Sequence, residues 1–158
     1  NYKNDKLNGK YTWWFENGSM SYEQYFKDNK LDGKKTIWNE NSDITSVENF
    51  KEGILLDKTT FSYFDNGQIY YEASYKDGEL NGNLNFWKKS GQRDEKRNYK
   101  DGVLLNQTTY KYGYFTGQIT EKNYKDGKKD GKWTKWDKKG EIKYEKFYKD
   151  GECISGDC

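Results

Sequence analysis

A chain of 158 residues with 28 basic and 26 acidic side chains carries a formal net charge of +2, so no global field draws it toward nucleic acid or an anionic membrane. Hydrophobic residues make up 32% and charged residues 34%, a balance leaning toward disorder, but 18% aromatic content supplies side chains large enough to hold a thin sheet together. The absence of histidine removes His-based triads and His-ligated zinc, and no apolar run approaches the ~20 residues of a membrane helix.

The numbered chain begins at Asn1 rather than Met, which reads as a processed product or a fragment with any signal peptide outside it. The lack of proline beside abundant Lys, Asn and Tyr suggests an AT-biased bacterial genome. Cys153 and Cys158 would close a small disulfide loop in an exported protein or remain two thiols in a cytosolic one, and spacing does not choose between these. An exported or cell-surface location is favoured over the cytoplasm.

Taken in order, the chain repeats itself. An opening aromatic recurs at Tyr2, Phe26, Phe50, Tyr75, Tyr99, Tyr124 and Tyr148, with spacings by subtraction of 24, 24, 25, 24, 25 and 24 residues. A second register holds Trp14, Trp38, Tyr63, Trp87, Tyr112 and Trp136, and a third, looser one holds Met20, Ile44, Ile69, Ile119 and Ile142. A fixed period means stacked supersecondary units that cannot bury their apolar faces alone.

In the first unit, Lys10-Tyr11-Thr12-Trp13-Trp14-Phe15 and Ser19-Met20-Ser21-Tyr22-Glu23 flank Asn17-Gly18, which is a β-hairpin signal. The second unit has Asn41-Ser42 in place of Asn-Gly, and because serine accepts a positive φ less easily, a different or strained turn is expected there. The units from 50 and 99 replace a second glycine with Ile54-Leu55-Leu56-Asp57 and Val103-Leu104-Leu105-Asn106, and the extra residue is expected in a bulge or a longer loop. In the unit from 75, Arg93 stands where other units have Ile or Met and must snorkel or pair if it faces a core. The stretch from Tyr148 to Cys158 is a partial seventh unit, expected to cap the array.

The expected architecture is therefore all-β: six hairpin repeats of 24–25 residues starting near 2, 26, 50, 75, 99 and 124, with a partial repeat over 148–158. Together they make one domain over 1–158, a meander of about twelve short strands in an elongated, twisted, single-layer antiparallel sheet.

The pattern Tyr-Lys-Asp-Gly-x-Leu-x-Gly-x-x-x-x-Trp followed by Asn-Gly-Gln-Ile-x-x-Glu resembles the bacterial MORN-variant repeat family, in the branch labelled as antitoxin repeats. Tyr75 to Gly82 with Trp87, Asn66-Gly67-Gln68-Ile69 with Glu72, and Tyr124 to Gly131 with Trp136, Ile142 and Glu145 carry the likeness across nearly the whole chain. The resemblance implies a groove-forming sheet that binds other molecules, usually proteins and sometimes lipids, and implies no enzymatic activity.

The periodic Trp14, Trp38, Tyr63, Trp87, Tyr112 and Trp136 read as structural, and Trp87→Ala in a central unit is expected to cost about 3–5 kcal/mol. Aromatics outside the pattern, Trp13, Trp133, Tyr71, Tyr110 and Tyr114, are candidates to line a binding groove, with Arg93 as a recognition residue. Lys132 and Lys135 belong to a basic strip over 125–139, interleaved with Trp133 and Trp136, which could meet a phosphorylated headgroup, although edge lysines also block aggregation. The recurring Asp and Gly are turn chemistry rather than catalytic or metal-binding groups. No catalytic residue, metal site or cofactor is assigned. The leading expectation is a non-enzymatic scaffold for a protein partner, at a bacterial surface or in toxin neutralisation. The alternatives are a cell-wall carbohydrate or choline-type ligand held by aromatic cages, or a lipid headgroup; nucleic acid is disfavoured.

Overall fold

Each repeat is closed by two turns of different construction. In Lys-Asp-Gly the two central residues are both left-handed, as in Asp77 at φ 51° with Gly78 at 83° and Asp126 at 50° with Gly127 at 76°. That is the two-residue hairpin turn whose twist matches the strands, and short polar residues tolerate it. The Asn-Gly hairpins exist, but they close through longer loops: Gly18 donates to the Phe15 carbonyl at 3.0 Å, Phe15 donates to that of Ser19 at 2.8 Å, and Gly18 is the left-handed residue at φ 82°. The register shifts between Trp13 and Trp14 to admit this loop.

The computed structural model describes residues 2–111 and 118–158, so Tyr112, Tyr114 and the Thr116-Gly117 turn lie outside the described residues. β1 (Tyr2–Lys3) and β2 (Lys6–Leu7) form a two-stranded ribbon. One 15-stranded antiparallel sheet then takes in β3 (Gly9–Trp14), β4 (Met20–Lys27), β5 (Lys30–Leu31), β6 (Gly33–Trp38), β7 (Ile44–Lys51), β8 (Ile54–Tyr63), β9 (Ile69–Lys76), β10 (Glu79–Trp87), β11 (Arg93–Lys100), β12 (Val103–Lys111), β13 (Gln118–Lys125), β14 (Lys128–Lys129), β15 (Gly131–Trp136), β16 (Ile142–Lys149) and β17 (Glu152–Gly156). The strands lie in chain order, with the short β5 and β14 attached only to β4 and β13. The sheet is open, and its two ends are β3 and β17.

Those two short strands are severed by a bulge at the second glycine. Phe26 pairs with Leu31, whereas Tyr22 pairs with Ile37, so the later strand gains two residues, Asp32 and Gly33. The units from 50 and 99 lack that glycine and gain only one residue, since Phe50 pairs with Leu55 and Asn49 with Asp57. Their additional residue lengthens an unbroken strand instead of enlarging a bulge or loop. Of the two outcomes expected at Ser42, a different turn or a strained one, the chain takes the second: at φ 67° its amide donates to the Asn39 carbonyl at 3.0 Å, reproducing the geometry of the glycine-containing loops. The Asn39 side chain helps, because its Oδ1 accepts from the amides of Asn41 at 3.0 Å and Asp43 at 2.9 Å.

Units are tied together at the Lys-Asp-Gly edge. The amides of Asn29, Gly53, Gly102 and Gly151 donate to the carbonyls of Leu7, Leu31, Leu80 and Lys129 in the preceding unit at 2.7–3.0 Å. A polar side chain reinforces each tie: Asn8 accepts from the Asp28 amide, Asp32 from Lys51 and the Glu52 amide, Asp130 from Lys149 and the Asp150 amide, and Asn81 donates to Asp101. Among the described residues no such bond reaches Gly78 or Gly127, the turns that follow the two glycine-deficient units.

Register fixes two faces. One carries the row Trp13, Tyr22, Ile37, Ser46, Thr60, Ala73, Leu84, Arg97, Gln107 and Lys122, each paired with the next across the sheet. The other carries Glu23, Thr36, Val47, Asn85, Glu121, Thr134 and Glu145, with the periodic Trp and Ile positions at its loop edge. A single layer has no enclosed centre, and the buried apolar residues among those described are Ala73 and Trp133.

Candidate binding surfaces

The periodic pairs Trp14–Met20, Trp38–Ile44, Tyr63–Ile69, Trp87–Arg93 and Trp136–Ile142 line up along one margin of the sheet. They pack laterally and stay open to solvent on one side, so that Trp14 is 54% exposed and Ile142 55%. Tyr63 is the most firmly held, its hydroxyl donating to the Ile44 carbonyl at 2.8 Å, and burial with the nearby Asp43 carboxylate raises its pKa. Arg93, in the aliphatic position of its unit, is exposed and sets its guanidinium 5.8 Å from the Trp87 ring centre, covering the indole with charge instead of methyl groups.

Beside this margin, between the first two units, lies a groove of about 660 Å³. Met20, Trp38 and Ile44 form its apolar end, and Glu23, Asp32 and Lys34 its polar end. The Glu23 carboxyl is held below the usual carboxylate range, first by its hydrogen bond to Lys10 and further by the Tyr25 hydroxyl, so the polar end carries an ionised carboxylate already paired with a lysine.

The residues singled out from sequence are not gathered at one place. Trp13 is 54% exposed at the β3 end of the sheet. Trp133 on β15 is 9% exposed, lies between the Tyr124 and Tyr148 rings, and donates its indole N–H to the Asn123 carbonyl at 2.9 Å. Tyr71 is half-buried against Tyr70 and Phe86 on the Trp13 face, and Tyr110 is half-buried on the opposite one. Lys132 pairs with Glu145, while Lys135 stands 5.8 Å from the Tyr144 ring centre on the other side of the sheet. The basic strip is therefore divided between two faces, and much of its charge meets the chain's own carboxylates and rings. Lys129, for example, sits 4.8 Å from the Trp133 ring and 4.9 Å from that of Tyr148.

Polar groups on the Trp13 face were not legible as a cluster. Glu48 is buried, flanked by Lys58 at 3.2 Å and Lys35 at 3.8 Å. Arg97 donates to Glu95 at 2.9 Å, which raises the Arg97 pKa, and Glu95 also accepts from Gln107. The usable signal was the repeat register, which places Ser46 and Glu95 at the position held by Tyr22, Tyr71 and Tyr144 in other units, with Glu48 and Arg97 two residues further along the same face. At the far end, Cys153 and Cys158 are joined as a disulfide with Cα atoms 5.9 Å apart.

An open antiparallel sheet of tandem hairpins, tied turn to turn and displaying grooves rather than an enclosed cleft, defines a β-hairpin repeat array. Three stretches, 7–28, 56–77 and 129–150, match the model of the MORN repeat variant. Each match begins just after one Lys-Asp-Gly turn position and ends in the next, and the starts lie 49 and 73 residues apart (56 − 7 and 129 − 56), two and three periods of the array. MORN repeats are generally binding or scaffold units. No protein with a curated description matches the chain.

Proposed function

We propose that the chain is a non-enzymatic scaffold that binds a protein partner along the loop margin, as a member of the bacterial, antitoxin-labelled branch of these repeats serving surface interaction or toxin neutralisation. The observation that carries this reading is the margin on which the described pairs Trp14–Met20, Trp38–Ile44, Tyr63–Ile69 and Trp136–Ile142 present apolar side chains, with the groove of Met20, Trp38 and Ile44 beside it. Aromatic side chains with an open flank are the usual energetic anchors of interfaces. The repetition lets a partner engage several units at once.

The test compares the intact chain with a Trp14→Ser, Ile142→Ser double variant, changing two residues that are more than half exposed. Both are used to capture proteins from lysate and surface extract of the source organism, and any captured protein is then titrated in purified form. Retention by the intact chain with affinity reduced by about tenfold or more in the variant supports the scaffold. Retention of wall polysaccharide or lipid vesicles in place of protein would move the function to carbohydrate or headgroup binding.

A further inference from the structure

Strand alternation sorts the charges of the later units. The position two residues before the opening aromatic holds Gln24, Glu48 and Ala73 in the first three units, then Arg97, Lys122 and Lys146 in the next three. Register puts all six on the Trp13 face. On β13, β15 and β16 the two acidic residues, Glu121 and Glu145, lie on the opposite face, where Glu145 meets Lys132. Elsewhere on the Trp13 face the cations are matched, since Lys35 and Lys58 flank Glu48 and Arg97 holds Glu95. Over β13 to β16 they are not: among the described residues Lys122, Lys129, Lys135 and Lys146 have no carboxylate partner.

Aromatic rings place these four cations. Lys122 and Lys129 stand 5.2 and 4.8 Å from the Trp133 ring centre, and Lys135 and Lys146 stand 5.8 and 5.5 Å from that of Tyr144. The ammonium groups therefore form two pairs, each gathered about one ring. Trp133 pairs across the sheet with Lys146, which makes Tyr144 its diagonal neighbour, so the two anchoring residues are ~7–8 Å apart. Alternate side chains of an extended chain repeat at nearly the same interval, ~7 Å. A single phosphate can meet one pair, whereas carboxylates at alternate positions of an extended segment meet both.

We infer that this part of the Trp13 face docks an acidic segment of a protein partner, lying extended with carboxylates at alternate positions, one set to each lysine pair. The inference rests on the reading of the chain as a protein-binding scaffold and gives the partner a second point of contact, away from the loop margin. The half-open Tyr144 and Tyr148 rings supply aromatic surface for the stems of the acidic side chains. Charge complementarity fixes the kind of partner and its register on the sheet.

The probe is an acetylated, amidated hexapeptide alternating glutamate with serine, titrated into the full chain at low salt while the Trp133 indole N–H is followed by NMR. A saturable shift is expected, with a dissociation constant on the order of 0.1–1 mM. The same peptide with glutamine for glutamate, and inorganic phosphate, are each expected to bind at least about tenfold more weakly. Lys122→Gln, Lys146→Gln takes one cation from each pair, keeps a stem over each ring, and is expected to lose peptide binding by about tenfold or more with its other resonances in place. Lys10→Gln, Lys132→Gln removes the same charge from the opposite face, where those lysines pair with Glu23 and Glu145, and is expected to bind within about twofold of the parent. Equal binding of the glutamine peptide or of phosphate, or equal loss in the two variants, overturns the inference. If phosphatidylglycerol vesicles bind more tightly than the peptide at the same concentration of anionic groups, through Lys122 and Lys146, the face is a headgroup surface and the inference falls. If the captured partner binds Lys122→Gln, Lys146→Gln as tightly as the parent while failing to bind Trp14→Ser, Ile142→Ser, the scaffold stands and the acidic-segment face falls.

Discussion

The amide of Gly53 donates to the carbonyl of Leu31 at 2.7 Å, joining the turn of one repeat to the strand end of the repeat before it. Asp32, the next residue after Leu31, receives the Lys51 ammonium at 3.1 Å and the Glu52 amide at 3.3 Å, so one short segment ties both backbone and charge. Asp130 does the same for Lys149 and Asp150 at the other end of the array.

Those ties are sensitive to acid. The hydrogen bond from Lys51, and after it the Glu52 amide, holds the Asp32 carboxyl below its ordinary value; Lys149 and the Asp150 amide do so for Asp130. A folded-state pKa below the unfolded one means the native chain binds fewer protons in that window. The stabilisation is whole above the usual Asp value of about 3.9 and is lost as pH falls through the lower folded-state values. Thermal melts of the parent and of Asp32→Asn, Asp130→Asn across this window should show the parent midpoint falling more steeply. Parallel curves would mean the carboxylates contribute nothing.

Ser42→Gly should stabilise the chain. Serine holds φ 67° there, a conformation a β-carbon disfavours, and every equivalent position that carries glycine in the described loops is left-handed too. Relief of about 1 kcal/mol is expected after the entropic cost of glycine is subtracted. A urea titration with an unchanged slope and a higher midpoint would show it, whereas a lower midpoint would mean the Asn39 hydrogen bonds already compensate the strain.

The hairpin order, the period and the two faces were legible because aromatic and β-branched residues alternate on strands between Gly-containing turns. Which face held the better-buried residues was not. Trp133 breaks the 24–25-residue series, yet it is packed between Tyr124 and Tyr148, while the strictly periodic Trp14 is largely open. A period reports which positions are equivalent and does not report how much of each is covered by the next unit. The tie at Leu31 and Gly53 was also out of reach, since it depends on a two-residue bulge that appears only when strand registers are compared. The lysine-rich strip looked continuous in sequence, but strand alternation sends Lys132 and Lys135 to opposite faces.

Burial therefore moves the expected sensitivity from Trp87 to Trp133. Trp133→Ala removes a covered indole together with its hydrogen bond to the Asn123 carbonyl, a loss of about 3–5 kcal/mol. Trp87 is only half-buried, with Arg93 over its ring, and its replacement by Ala should cost less, about 1–2 kcal/mol. Trp14→Ala should change stability by no more than about 0.5 kcal/mol. Chemical denaturation of the three variants ranks them directly. An equal cost at Trp14 and Trp133 would mean that the margin, rather than the Trp133 face, holds the array together.

Gly156 offers the sharpest steric test. A β-carbon built there would lie 2.3 Å from the Glu145 carbonyl oxygen, with φ at 89°, so the backbone itself must move to admit any side chain. That carbonyl also accepts from Asp157 at 2.9 Å, and Gly156 pairs with Lys146. Gly156→Ala should therefore peel β17 from β16, raising amide exchange at Asp157 by about tenfold or more while leaving the distant Gly53 amide protected. At Gly18, where nothing lies within 4 Å of the added carbon, alanine meets only the φ of 82° and should disturb its own loop. If Asp157 stays protected in Gly156→Ala, the close approach of the last strand to Glu145 is not what seats it.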